Sequence, residues 1–150
     1  VISVTEEVLK DLPEKQINKI YLKLTPEQQK EYFIIENELK DVDLSSVSFS
    51  DGNPGLIIMN KLRQYLSLLK LDYVKEYVRE LNEQGDKVLV FDCFKKPLYN
   101  LHEHFKENSR VYSGDISAFE RQGLVDTFQD KSSWLKNLFL TIQSANFGIT

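Results

Sequence analysis

The 150-residue chain reads as an α/β domain, an open parallel sheet flanked by helices, with an N-terminal strand and a helical extension ahead of it. Three observations predict this. Lys87-Val88-Leu89-Val90-Phe91 and Leu138-Phe139-Leu140-Thr141-Ile142 are short, continuously apolar runs of the kind that form parallel strands buried on both faces. Amphipathic stretches at helical spacing separate them. Polar sequence follows each strand's carboxyl end, which is where open α/β sheets hold their ligands.

In chain order, Val1 to Lys10 starts abruptly, like a cut end, and suits a short helix stopped before Pro13. Ile17 to Leu24 alternates apolar and polar residues and reads as a strand with one wet face. Thr25-Pro26-Glu27-Gln28 opens a helix to about Lys40, with Thr25 as N-cap, Pro26 at the first helical position and Gln28 closing the capping box. Asp41 to Gly55 turns to Ser, Asp, Gly and Pro with no basic residue, and is expected to be the most mobile internal segment. Leu56 to Leu69 is a helix, and Leu71, Val74, Val78 and Leu81 mark another, ended by Gly85-Asp86. After the strand at Lys87, a helix is expected over Lys96 to Asn108, a strand at Arg110-Val111-Tyr112, and a helix from Ser117 to about Asp130. Ser117 and Glu120 have capping-box spacing. The domain expectation is an N-terminal strand and helix over 1–40, a connector over 41–55 and the α/β domain over 56–150.

Composition narrows the function. With 19 basic and 23 acidic residues and a net charge of -4, the chain is no small basic nucleic-acid binder, so any contact with nucleic acid must be local. One cysteine, no signal peptide and no long apolar run point to an intracellular protein without disulfides or a membrane span. Cys93 reads as a small buried hydrophobe rather than a nucleophile. His102 and His104 fall on different helix faces, which argues against a metal site. Trp134 fits either a stacking platform for a base or a cap on the core edge.

Leu12-Pro13-Glu14-Lys15, Leu24-Thr25-Pro26-Glu27-Gln28, Leu62-Arg63-Gln64, Lys87 to Phe91, Gly114-Asp115-Ile116-Ser117 with Glu120-Arg121, and the closing Ser144 to Thr150 together resemble, in order and spacing, the second RecA-like motor lobe of Swi/Snf-type superfamily 2 ATPases. The closing segment is most similar to motif V of the annealing-helicase branch. The resemblance implies one lobe of an ATP-driven translocase on double-stranded or forked DNA. On this reading 1–40 links the lobes, and 56–150 is the second lobe, cut before motif VI. ATP and Mg would be bound mainly by the first RecA-like lobe of the same parent protein, since this sequence contains no Gly-x-x-x-x-Gly-Lys-Ser/Thr phosphate loop. The fragment alone is expected to be inactive. Two alternatives are an inactive lobe serving as a binding module, and the second lobe of an RNA helicase.

Gly114, Ser117 and the free amides that open the next helix form an anion site suited to a DNA phosphate, with Arg121 one turn on; the plainer reading is a capped helix with a surface arginine. The resemblance assigns Gly114, Asp115, Ser117, Arg121, Thr141 and Ser144 to DNA and Gly148 and Thr150 to the nucleotide. Ile142 stands where many relatives have a phosphate-binding threonine, so Thr141 or Ser144 would supply that hydroxyl. Asn146 is a doubtful nucleotide contact. Lys95 and Lys96 fit phosphate contacts or a solvated pair, and Phe91 and Phe94 fit motif IV or plain core.

Overall fold

The computed structural model of the protein describes residues 16–40 and 54–145. The element order is α1 (Pro26–Lys40), α2 (Pro54–Leu69), α3 (Leu71–Glu83), β1 (Val88–Asp92), α4 (Lys95–His104), a 3-10 turn (Lys106–Asn108), β2 (Ser109–Tyr112), α5 (Ala118–Gln129), β3 (Asn137–Thr141) and α6 (Ile142–Ala145). The three strands form one parallel sheet in the order β1-β3-β2. The α/β expectation holds, with each strand-to-strand connection made by a helix.

β3 is central, so all five of its residues are buried. Its side chains alternate between two cores. Phe139 packs with Leu71, Leu98, Leu101 and Val111 under α3 and α4, while Leu138 and Leu140 pack with Tyr112, Val125 and Leu135 under α5. Burying each such side chain contributes about 1.5–3 kcal/mol. Among the described residues β1 is an edge strand, and the expectation that it is buried on both faces is corrected. Its Leu89 and Phe91 are 40% and 48% exposed, because α5 covers β2 and β3 without reaching them.

Polar clamps fix the amino ends of the strands. Asn137, fully buried, donates to Asn82 Oδ1 at 2.8 Å and Asn108 Oδ1 at 3.1 Å, and accepts from Asn82 Nδ2 at 2.9 Å, which ties α3, the 3-10 turn before β2, and β3 together. Lys87 Nζ donates to the carbonyls of Phe128 and Asp130, both at 2.6 Å, and to Ser133 Oγ at 3.0 Å, satisfying carbonyls at the end of α5. Gly85, at φ +92°, takes the left-handed turn that ends α3 and starts β1.

The N-terminal strand is corrected as well. Residues 16–25 join no sheet, and Ile17, Ile20 and Tyr21 are 71%, 50% and 86% exposed. The alternation finds no strand edge to pair with. Instead the segment walls a groove of about 570 Å³ against α1, α2 and α3, with Leu66, Leu69 and Tyr73 opposite. α1 begins with the expected capping box, Thr25 N donating to Gln28 Oε1 at 2.8 Å and Gln28 N to Thr25 Oγ1 at 3.3 Å. It is held to α2 by the Lys61–Glu38 ion pair at 3.0 Å and by Tyr65, whose hydroxyl donates to Glu31 at 2.6 Å; that bond pushes the phenol up to about 12. The short helix expected over Val1 to Lys10 and nearly all of the Asp41 to Gly55 connector lie outside the described residues.

Candidate nucleic-acid interface

The carboxyl ends of the strands bring the predicted residues together. Asp92 of β1 is in register with Thr141 of β3, and Tyr112 of β2 with Leu140, so the loops after all three strands open on one edge of the sheet. Gly114 lies against the segment after β3, where a Cβ at this position would sit 3.8 Å from Ser144 Oγ. Ser113 is fully buried, and its hydroxyl accepts from Asp115 N at 3.3 Å and donates to Asp115 Oδ2 at 3.1 Å, which shapes the turn.

Ser117 caps α5 as its spacing predicts. Its Oγ accepts from Glu120 N at 3.2 Å, and Glu120 Oε2 accepts from Ser117 N at 2.8 Å. These bonds hold the Glu120 carboxyl below its ordinary value. The serine hydroxyl and two amides are therefore committed to the cap. Of the first-turn amides, those of Ala118 and Phe119 have no acceptor within the helix.

Arg121 is half-buried. Its Nε donates to Ile116 O at 3.2 Å and its guanidinium lies 6.0 Å from the Tyr112 ring centre, and it pairs with no carboxylate among the described residues. The arginine is thus aimed by the loop it follows. Of the two candidate hydroxyls, that of Thr141 is not accessible: the residue is 3% exposed, and its hydroxyl donates to Ser144 Oγ at 2.7 Å. As the end of the central strand it is covered on both sides, which leaves Ser144, half-buried, as the accessible hydroxyl. Gly148 and Thr150, with Asn146, lie outside the described residues.

Asp115 is placed differently from a phosphate contact. Its carboxylate accepts from Lys95 Nζ at 2.5 Å, Ser113 Oγ at 3.1 Å and Tyr99 Oη at 3.4 Å. The Lys95 bond, then the Ser113 bond, hold it below the usual carboxylate range. Lys95 is therefore no free lysine but the bridge between the starts of α4 and of the β2–α5 loop.

Sequence reasoning placed nothing from α2 at this edge, although Leu62-Arg63-Gln64 carried part of the resemblance. Arg63, Ser67 and Lys70 line a cleft of about 250 Å³ with Asp92, Phe94 and Ile142. Ser67 Oγ donates to Asp92 Oδ2, and Phe94 N donates to Asp92 Oδ1 at 2.7 Å. Arg63 Nη2 donates to Cys93 Sγ at 3.4 Å, and its guanidinium sits 5.9 Å from the Phe94 ring centre. Cys93 is half-buried rather than the buried hydrophobe expected, because the edge strand leaves it beside α2.

Trp134 is away from this edge. It stacks under Arg110, 4.5 Å from the guanidinium, and is 48% exposed. His102 and His104 do face different neighbours, Ser109 Oγ at 2.8 Å and Arg79 at 3.2 Å. Among the described residues no group of acidic, histidine or cysteine side chains could hold a metal, and no helix is long and apolar enough to cross a membrane.

No protein-family model matches the chain. It is 30% identical over 144 residues to an uncharacterised ATP-dependent helicase of Mycoplasma genitalium, covering 81% of this chain and 13% of the relative. It is 27% identical over 152 aligned positions to a CHD3-type chromatin-remodelling factor of Arabidopsis thaliana, covering 99% of this chain and 12% of the relative. The chain thus spans only 12–13% of the length of these relatives. Among solved structures, the C-terminal domain of the Sulfolobus solfataricus SWI2/SNF2 ATPase superposes with a TM-score of 0.68 at 20% identity, covering 82% of this chain and 61% of that one. The core of that ATPase in complex with double-stranded DNA superposes with a TM-score of 0.67 at 24% identity, covering 92% and 33%. The fold, with strands β1, β3 and β2 read independently from the motifs, agrees with these likenesses: it is a RecA-like open parallel sheet, and the chain resembles the second, C-terminal lobe of Swi/Snf-type ATPases.

Proposed function

We propose that this lobe supplies the DNA-backbone grip, and one wall of the ATP cleft, in an ATP-driven translocase acting on double-stranded or forked DNA. The observation that carries the reading is the convergence of Gly114, Arg121 and Ser144 on one sheet edge, with Arg121 paired to no carboxylate among the described residues and aimed by the Ile116 carbonyl. A helix N-terminus, a serine hydroxyl and an arginine there suit an anionic backbone and read no base. Overall negative charge keeps the rest of the surface from competing.

In this motor the roles divide by chemistry. Arg121 gives a charge-assisted contact and Ser144 a neutral hydrogen bond. Thr141 positions Ser144 through its hydroxyl, and Ser117 acts through its cap by orienting α5. ATP supplies the energy for opening and closing the cleft. Its phosphates and Mg would be held by a first lobe of the same parent protein, with Gly148 and Thr150 of this chain near the nucleotide. Residues 1–40 link the lobes, 41–55 connect that segment to the lobe, and 56–150 form the lobe proper.

The test is duplex-DNA affinity against salt concentration, on sequences of unrelated composition. Binding independent of sequence, with a salt slope that Arg121→Ala reduces by about one contact, is expected. Thr141→Val should leave the slope unchanged and weaken binding less. Salt-insensitive binding, or an Arg121→Ala variant that loses stability while keeping its slope, overturns the assignment. The isolated chain should show no DNA-stimulated ATP hydrolysis.

A further inference from the structure

Lys95 and Asp115 form a contact that the DNA-grip reading leaves unused. Their ion pair is 2.5 Å long, and both side chains are about half exposed, at 51% and 49%. Resting on that reading, we propose that Lys95 is a latched phosphate contact: Asp115 holds its ammonium in the free chain, and a DNA phosphate takes it over.

Three features support exchange rather than a fixed brace. Asp115 keeps Ser113 and Tyr99 as donors when Lys95 leaves, so its carboxylate is not stranded. Lys95 has no other partner among the described residues and opens α4, at the same sheet edge as Gly114 and Ser144. A half-exposed pair is also loosely held, since exposed ion pairs exchange the attraction of a partner for that of water and counterions. The cost of the latch is local. A carboxylate beside the place proposed for a phosphate repels it, and releasing Lys95 uncovers that charge.

The latch predicts that removing an acid strengthens DNA binding. Asp115→Asn keeps an oxygen for Ser113 and frees Lys95. It should bind duplex DNA about two- to fivefold more tightly at low salt. Its plot of log affinity against log salt should keep the wild-type slope, since Lys95 meets a phosphate in both complexes. Lys95→Gln should bind more weakly than wild type with a slope about 0.9 shallower, the increment for one phosphate contact, and adding Asp115→Asn to it should leave that shallower slope. The measurement is fluorescence anisotropy of a labelled random duplex with the 150-residue chain, with thermal unfolding of each variant as the control for folding. Asp115→Asn binding no more tightly than wild type overturns the latch.

A DNA-free readout separates this from failure of the grip itself. The carboxyl carbon of Asp115, followed by NMR through acid pH, should titrate at a higher midpoint in Lys95→Gln than in wild type. An unchanged midpoint removes the latch whatever the DNA result. Wild type without salt-dependent binding, together with a Lys95-dependent midpoint, would instead sink the DNA grip and the exchange with it, leaving only the ion pair.

Discussion

Replacing Asn137 by leucine tests whether the buried asparagine cluster specifies the sheet. Asn137 is the first residue of the central strand and fully buried, and its amide makes three bonds of 2.8 to 3.1 Å to Asn82 and Asn108. Neutral hydrogen bonds contribute about 1 kcal/mol each, so their loss amounts to about 3 kcal/mol. Asn82 and Asn108 are half-buried and recover part of this from water, and leucine gains some apolar burial. A net loss of about 2 kcal/mol remains, equivalent to about 4–8 °C in Tm for a chain of this size. Urea unfolding followed by far-ultraviolet circular dichroism measures it. An Asn82→Ala, Asn137→Ala double-mutant cycle should return a coupling of about 1 kcal/mol or more. Asn137→Leu as stable as wild type would show that apolar packing alone sets the strand in place, and that the three amides contribute no net stability.

Lys87→Met should cost about 1–2 kcal/mol in the same assay, because the carbonyls ending α5 lose a charged donor; an unchanged midpoint would make the clamp ornamental. Ser117→Ala should cost about 1 kcal/mol through loss of the capping box, with Ser117→Asn restoring most of it. His102 is pushed below its ordinary value by burial first and then by Arg110, with Lys106 adding to this and Glu103 opposing it. The unfolded chain therefore takes up the proton before the folded one does, so stability is full above about pH 6.5 and declines as pH falls through that value toward the depressed folded one. His102→Gln should flatten that decline, as pH-dependent urea midpoints would reveal; an identical decline would assign it to other groups.

What could be read in advance was what local chemistry decides. The Thr25 and Ser117 caps, the apolar run of β3 and the spacing of Leu71 and Val78 each declare themselves within a few residues, and each stands as read. The misreadings depend on partners far along the chain. The alternation of Ile17 to Leu24 has the right period for a strand, but a strand needs an edge, and nothing within the segment says whether one is in reach. β1 and β3 look equally apolar, yet only strand order decides which lies in the middle and which leaves Leu89 and Phe91 in water. At the interface, the burial of Thr141 follows from the same strand order. The roles of Arg63 and Lys95 depend on contacts across 30 and 20 residues, which no motif spacing displays. The resemblance to the annealing-helicase branch rests on Ser144 to Thr150, of which the residues after Ala145 lie outside the described ones.

The strand order carries a consequence for how the chain is made. Of the three strands, β1 and β2 emerge first from the ribosome and do not pair with each other; β3, which joins them, follows both. Until Asn137 to Thr141 appears, two apolar ribbons wait with open hydrogen-bonding edges, and loop closure has yet to be paid on both sides at once. A nascent chain paused ahead of β3 thus exposes adhesive strand edges, which a holding chaperone would cover. The same wiring makes β3 a keystone: an insertion that shifts it by one residue disengages both neighbours together, whereas an equal slip in β1 spoils a single seam.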